Sequence, residues 1–208
     1  MNPIHIKVCG MKDPLNMQDL HQLPIDMMGM IFYPKSSRYI DSLQLEEIPP
    51  KGQNIKRVGV FVDEKFDVVR SKIKDYHLDL VQLHGNESYE YCLQFANLVP
   101  IIKAFSISEI SDIENANNFG SFDGYYLFDT KTPQHGGSGI KFDWSVLNHY
   151  TGNMPFYLSG GISLEDANQI KQIKHPKFCG VDLNSRFEIK PGLKNIELLE
   201  KFIKDIRS

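Results

Sequence analysis

Two residues suited to proton transfer stand at the ends of short apolar runs in this 208-residue chain. Asp129 follows Tyr125 to Phe128, and Cys9 follows Ile6-Lys7-Val8. Apolar surroundings raise the pKa of a carboxyl group, which suits Asp129 to general-acid chemistry near neutral pH. In an extended strand Lys7 lies on the same face as Cys9, where its charge favours the thiolate. An acid and a base acting on one substrate would shuttle protons in an isomerase-like reaction that needs no metal or redox cofactor.

Each of these three residues also has a purely structural interpretation. An isolated cysteine is commonly a buried core residue. The carboxylate of Asp129 could instead cap a helix or fix a loop. Lys7 could leave through the other end of the fold. These alternatives stay open at the level of single residues.

A second group of residues is suited to holding anions. The glycines of Ser159-Gly160-Gly161 allow backbone N–H groups to approach an anion closely. Asn184-Ser185-Arg186 follows the last predicted strand, and Arg38 has a forked guanidinium that matches a carboxylate. Taken alone, the glycine pair could be a simple turn and Arg38 an exposed loop residue. Gln82 and His84 share one strand face, where His84 is interpreted as a hydrogen-bonding wall residue of the site.

Composition restricts the classes of function. The hydrophobic content of 41% and charged content of 24% are ordinary for a globular protein, and 208 residues suit one domain. With a net charge of -3 and no cluster of basic residues, nucleic-acid binding is not expected. No apolar run approaches the roughly 18 residues of a membrane span. Three widely spaced cysteines suit neither a disulfide framework nor a zinc site, so we expect a reduced, cytoplasmic setting.

Short apolar runs and segments of helical period alternate along the whole chain. Each run is rich in branched and aromatic residues, which is typical of strands buried on both faces. The predicted strands are 4–10, 27–33, 55–62, 79–85, 99–105, 124–130, 155–161 and 178–184. The predicted helices are 13–23, 65–76, 88–96, 108–117, 143–150 and 164–173, a weaker one at 41–48, and a last one whose apolar face holds Leu199, Phe202, Ile203 and Ile206.

Eight strand–helix units in sequence predict a compact single-domain (β/α)8 barrel, over an open doubly wound sheet. Active sites of such barrels lie at the carboxyl ends of the strands, and phosphate sites after strands seven and eight. Cys9, His84, Asp129 and Asp182 all fall at predicted strand ends. The phosphate site is therefore assigned to Gly160-Gly161 and to Asn184-Ser185-Arg186. The remaining glycine-rich run, with Gly136, Gly137 and Ser138, is interpreted as a lid that closes over the substrate.

These motifs, in this order, resemble the phosphoribosylanthranilate isomerase family of tryptophan biosynthesis. The resemblance covers nearly the whole chain: IKVCGMKD, IFYPKSSRYI, RVGVFVDE, VQLHGNES, LFDTKTPQHGGSGIKFDW, YLSGGI and GVDLNSRFE. It implies a small (β/α)8 barrel, 1–208, that catalyses an Amadori rearrangement of N-(5'-phosphoribosyl)anthranilate without a cofactor. The only expected partner is this substrate, with the chain a monomer or a homodimer.

The resemblance also implies a role for each site residue. Asp129 would be the general acid that protonates the furanose ring oxygen, and Cys9 the general base that removes the C2' proton. Arg38 would hold the anthranilate carboxylate, and the loops after strands seven and eight the phosphate. The family commonly has Ser-Ser-Gly where this chain has Asn184-Ser185-Arg186. Arg186 would then either bind phosphate in place of the glycine or point outward.

Two other functions are alternatives to the isomerase. The related isomerase of histidine biosynthesis would be expected to use two aspartates, one of them on strand one, and Cys9 occupies that place here. A catalytically silent phosphate-binding barrel gives no reason for Cys9 and Asp129 to lie at the rim. Turnover of phosphoribosylanthranilate separates these alternatives.

Overall fold

A closed barrel of eight parallel strands forms the centre of the molecule. The computed structural model describes residues 3–40, 45–50, 54–131 and 141–208. The strands follow chain order, and β1 pairs with β2 on one side and β8 on the other, which confirms the predicted barrel and excludes an open sheet. They are β1 (His5–Val8), β2 (Met27–Ile31), β3 (Lys56–Phe61), β4 (Leu80–Leu83), β5 (Ile101–Ile107), β6 (Gly124–Thr130), β7 (Phe156–Leu158) and β8 (Phe178–Leu183).

Helices connect most of the strands. They are α1 (Pro14–Leu20), α2 (Phe66–Asp75), α3 (Tyr89–Leu93), α4 (Ile110–Asn117), α5 (Ala167–Lys171) and α6 (Ile196–Arg207). The segment between β6 and β7 is a 3-10 helix, Trp144–His149, where an α-helix was predicted. Its buried Trp144 and Leu147 are three residues apart, a spacing that a three-residue turn places on one face. The predicted helix at 41–48 is described only from Leu45, as the short 3-10 helix Leu45–Glu47.

Strand alternation divides the core into two parts. Outward-facing residues such as Ile6, Val8 and Phe128 pack against the helices in the larger cluster. Inward-facing residues fill the lower barrel and comprise Met27, Val58, Leu80, Ile102, Ala104, Leu127 and Tyr157. Two residues further along three of these strands, the same inward face carries Gly29, Gln82 and Asp129. The polar side chains of the barrel mouth therefore stand on an apolar floor.

The last helix matches its predicted apolar face. Leu199, Phe202, Ile203 and Ile206 are all buried in α6. Met28 and Phe32, which sequence alone leaves between core and interface, belong to the core as well. Within the described ranges, no helix combines the length and apolar character needed to span a bilayer.

A small antiparallel hairpin, not predicted from the sequence, follows β8. It consists of β9 (Glu188–Lys190) and β10 (Leu193–Lys194). Pro191-Gly192 makes the turn, and Gly192 has a φ of 86°, as the third position of a type II turn requires. The hairpin brings Glu188 and Lys194 back toward the barrel mouth.

Phe128 tests the packing between barrel and helices. Its ring is fully buried, with centroids 4.9 Å from Phe156 and 5.2 Å from Tyr150. Phe128→Ala should lower the free energy of unfolding by about 3–5 kcal/mol in urea titrations, because the neighbouring strand and loop cannot fill the cavity. Leu15→Ala, at a site 70% exposed, is the control and should change it by no more than about 0.5 kcal/mol. Equal effects of the two substitutions would contradict this packing.

Candidate active site

The carboxyl ends of the strands surround one cavity that contains most of the predicted site residues. Its lining includes Cys9 after β1, His84 after β4 and Asp129 on β6. Most of the predicted substrate-binding residues also line it: Arg38, Gly160, Gly161, Asp182, Asn184 and Ser185. Segments far apart in the chain thus converge on one site, at the end of the barrel that the sequence predicted.

Cys9 lies above a buried ion pair. The Lys7 ammonium donates to the Asp182 carboxylate at 2.9 Å, and Lys7 is fully buried. It therefore does not leave through the other end of the barrel. A Cβ atom added to Gly29 of β2 would lie 2.9 Å from Cys9 Sγ and 3.2 Å from Lys7 Nζ. Because Gly29 has no side chain, the Cys9 thiol and the Lys7 ammonium can both occupy the space beside it.

Burial and the lysine charge act in opposite directions on the thiol. Burial raises the pKa of Cys9 above its ordinary value, and the Lys7 ammonium works to lower it. Burial also opposes the charge on Lys7, but Asp182 and Cys9 together hold the Lys7 pKa above its usual range. The predicted influence of Lys7 on the thiolate has the expected direction, and burial outweighs it. Burial therefore raises the Cys9 pKa, while a cation lies beside the thiol and favours its deprotonated form.

Two side chains hold Asp129 in place: Gln82 on β4 bonds His84, which follows β4, and His84 bonds Asp129. His84 Nε2 is 3.2 Å from Asp129 Oδ2, and His84 Nδ1 is 2.7 Å from the Gln82 amide nitrogen. In this orientation the Gln82 amide donates to Nδ1, and Nε2 is the ring nitrogen that faces Asp129. The other carboxylate oxygen accepts from the Thr130 N–H at 2.9 Å. His84 therefore orients Asp129 as a wall residue, in agreement with its interpretation from sequence.

Arg38 already holds a carboxylate of its own chain. Its Nε lies 2.9 and 3.1 Å from the two oxygens of Glu188, and its Nη2 lies 2.6 Å from Oε2. The fork that was assigned to the substrate is thus occupied along one edge by Glu188. A second carboxylate would meet the end-on edge, formed by Nη1 and Nη2. The guanidinium remains at the cavity wall with 12% of its side chain exposed.

Two glycine positions bring backbone close to the site. Gly160 and Gly161 have φ angles of 93° and 64°, a conformation that favours glycine. A Cβ atom on Gly160 would lie 2.1 Å from Thr130 Oγ1, so this backbone packs directly against the end of β6. Gly10, with a φ of 79°, leaves room for Arg38 and Asn184, whose atoms would lie 2.6 and 2.9 Å from its Cβ.

The structure does not bring every predicted site residue into the cavity. Arg186 is exposed, in a 3-10 helix whose Phe187 is buried, and it does not line the cavity, whereas Asn184 and Ser185 do. Gly136, Gly137 and Ser138 lie outside the described residues, and their lid role stays a prediction.

Sequence reasoning missed Glu188 and Lys194. Lys194 Nζ bonds Glu188 Oε1 and Asn184 Oδ1, each at 2.7 Å, with its side chain fully buried. Glu188 and Lys194 are single charged residues in a polar stretch. Neither stands at the end of a predicted strand or beside a glycine pair, so no sequence pattern marks them as site residues. The only local signal is the Pro191-Gly192 turn, which indicates a hairpin without saying what its side chains contact.

Fold and site together define a class: a (β/α)8-barrel protein with acid–base and anion-binding groups at the carboxyl ends of its strands. Within that class, the chain belongs to the N-(5'-phosphoribosyl)anthranilate isomerase family, whose model matches residues 6–205. This assignment agrees with the resemblance stated from the motifs.

Individual relatives are similar over nearly their full length. An N-(5'-phosphoribosyl)anthranilate isomerase of Parabacteroides distasonis is 44% identical over 97% of this chain and 92% of its own. The crystal structure of the Thermotoga maritima isomerase superposes with a TM-score of 0.82 at 33% identity, covering 98% of both chains. A further phosphoribosylanthranilate isomerase structure, in complex with reduced 1-(o-carboxyphenylamino)-1-deoxyribulose 5-phosphate, superposes with a TM-score of 0.79 at 29% identity and also covers 98% of both chains.

The Lys7 charge beside Cys9 yields a direct prediction. In Lys7→Met the Cys9 thiolate loses the cation that works to stabilise it, so the Cys9 pKa should rise by at least about one unit. The measurement is the pH dependence of Cys9 alkylation by iodoacetamide, resolved by peptide mass spectrometry because Cys92 and Cys179 are also free thiols. Lys190→Met removes the same charge from an exposed position and should leave the pKa unchanged. An unchanged Cys9 pKa in Lys7→Met would exclude the role of Lys7.

Proposed function

We propose that this chain catalyses the Amadori rearrangement of N-(5'-phosphoribosyl)anthranilate to 1-(2-carboxyphenylamino)-1-deoxyribulose 5-phosphate, an aldose–ketose isomerisation of tryptophan biosynthesis. The observation that carries the proposal is the position of Cys9 and Asp129. Cys9 follows β1 and Asp129 lies on β6, and both line one cavity. His84 orients Asp129, and the Lys7 ammonium beside Cys9 favours its thiolate. Family membership supplies the substrate.

The reaction begins with proton donation by Asp129 in its acid form. The proton goes to the furanose ring oxygen, the C1'–O bond breaks, and the nitrogen lone pair forms the C1'=N bond of a Schiff base. His84 fixes the direction of the carboxyl group through its bond to Oδ2. The apolar layer below, with Leu127 two residues back on the same face, limits the water that could compete for the proton.

Cys9 completes the rearrangement as the general base. Its thiolate takes the C2' proton, and the C–H electron pair forms the C1'=C2' bond while the Schiff-base electrons return to nitrogen. The enolamine then tautomerises: the C2' hydroxyl proton passes to the Asp129 carboxylate, C1' takes a proton from the Cys9 thiol and C2' becomes a ketone, which returns both groups to their starting forms. The Lys7 ammonium stabilises the negative charge that Cys9 needs for this step. No atom is gained or lost overall.

The remaining residues anchor the two ends of the substrate. Arg38 holds the anthranilate carboxylate through the end-on edge of its guanidinium, formed by Nη1 and Nη2. Backbone N–H groups of Gly160 and Gly161, with Asn184 and Ser185, hold the phosphate. Because Arg186 is exposed and outside the cavity lining, the phosphate role falls to Asn184 and Ser185. Asp182 acts through Lys7.

We place the enzyme in the cytoplasm, since all three cysteines are free and Cys9 must stay reduced to act. One solved relative comes from a dimeric phosphoribosylanthranilate isomerase of Thermotoga maritima, studied there as engineered monomers.

The activity is tested with the pure protein and freshly prepared phosphoribosylanthranilate, by following the loss of substrate fluorescence. Cys9→Ser and Asp129→Asn should each lower kcat/KM by roughly 10²- to 10⁴-fold, the usual contribution of a general base or acid. Cys179→Ser and Asp67→Asn make the same chemical changes outside the cavity and should retain wild-type rates. Wild-type decay no faster than the spontaneous reaction would refute the proposed function.

A further inference from the structure

A buried lysine, Lys194, lies behind the wall of the cavity. It contacts Asn184, which lines the cavity, and Glu188, which binds the lining residue Arg38. Lys194 lies in β10 with its side chain fully buried. Its backbone N–H donates to Asn16 Oδ1 at 2.6 Å and its carbonyl accepts from Asn16 Nδ2 at 3.0 Å. One side chain of α1 thus fixes both backbone groups of Lys194, so the position of the ammonium is set by the fold.

The ammonium and the Arg38 guanidinium share one carboxylate oxygen. Glu188 Oε1 accepts from Lys194 Nζ at 2.7 Å, from Arg38 Nε at 2.9 Å and from the Gly192 N–H at 3.1 Å. Burial opposes the charge on Glu188, but these donors hold its pKa below the ordinary value. Burial lowers the pKa of Lys194, and the Glu188 carboxylate in contact with it at 2.7 Å works to raise it. With Lys194 as the ammonium, two cations surround one anion and the three-residue cluster has a net charge of +1.

The same ammonium determines how Asn184 faces the cavity. Lys194 Nζ donates to Asn184 Oδ1 at 2.7 Å, and Asn184 lines the cavity. With its oxygen engaged by the ammonium, the amide is left with its N–H groups for an incoming ligand. Both effects of Lys194, the extra charge and the orientation of Asn184, favour an anion at this wall.

From these contacts we infer that Lys194 supplies the net positive charge with which the Arg38 wall of the cavity binds the carboxylate of the substrate. Glu188 orients Arg38 but also neutralises it, so an Arg38–Glu188 pair alone would offer a carboxylate no net attraction. Lys194 restores the missing charge and touches no substrate atom, which makes it a positioning and electrostatic residue. The inference rests on the proposed function, in which Arg38 faces the anthranilate carboxylate.

The test is calorimetric binding of two probes. One is reduced 1-(o-carboxyphenylamino)-1-deoxyribulose 5-phosphate, and the other is the same compound without its carboxyl group. Lys194→Met should weaken the first at least about tenfold, as expected for one lost charge at short range in a partly buried site. It should weaken the second clearly less, by no more than about threefold, because that probe has no carboxylate and loses only the orientation of the phosphate ligand Asn184. Lys190→Met, in the same hairpin but exposed, should change neither.

Charge rescue separates electrostatics from a structural effect. Lys194→Met combined with Glu188→Gln leaves Arg38 as the single charge of the cluster, again +1. This double variant should regain affinity for the carboxyl-bearing probe to within about threefold of the wild type. Equal weakening of both probes, no weakening of the first, or a double variant weaker than Lys194→Met would each overturn the inference.

Two controls keep the outcomes distinct. If Lys194→Met does not give the far-ultraviolet circular dichroism of the wild type, Lys194→Gln takes its place, because it removes the charge and keeps a donor for Glu188. The wild type itself tests the proposed function. Failure to prefer the carboxyl-bearing probe refutes the Arg38 assignment, whereas a preference that survives loss of Lys194 refutes only the role of Lys194.

Discussion

The pairing of Lys7 with Asp182 is the constraint on which the barrel mouth depends. The two residues are directly opposite in the register of β1 and β8, the strands whose pairing closes the barrel. Both are buried, and an unpaired charge at that depth would cost several kcal/mol, so the pair persists only while β1 and β8 keep this register. Cys9 is two residues after Lys7, and its thiol lies beside the Lys7 ammonium. Closure of the fold and the electrostatics of the proposed base therefore depend on a single contact.

Buried ion pairs recur under the loops of the mouth. Lys103 of β5 donates to Glu87 Oε2 at 3.0 Å and to the Gly85 carbonyl at 2.7 Å, while Glu87 accepts from the Asp63 N–H. This pair ties the loops after β3 and β4 together, as Glu188 with Arg38 and Lys194 ties those after β2 and β8. Each pair fixes backbone or side chains that short loops alone would leave less constrained, at the end of the barrel where a site needs preorganised groups.

The barrel and the rim positions of Cys9 and Asp129 are predictable from the sequence for a physical reason. Apolar runs that end in one polar residue reflect strands buried on both faces, so Cys9 and Asp129 were located by a local pattern. What could not be predicted are the partners across the chain. The Arg38–Glu188 fork joins residues 150 positions apart, and Lys7 meets Asp182 across 175. The 3-10 helix at Trp144–His149 was also missed, since its apolar spacing fits an α-helix nearly as well.

The division of labour between Cys9 and Asp129 is tested most directly by a substrate carrying deuterium at C2', followed in single turnovers. If Cys9 removes that proton, Cys9→Ser makes C–H cleavage slow and shows a primary isotope effect larger than that of the wild type. If Asp129 opens the ring first, Asp129→Asn is limited before C–H cleavage and shows almost no isotope effect. A similar isotope effect in both variants, or a large one only in Asp129→Asn, would contradict the assignment of base and acid.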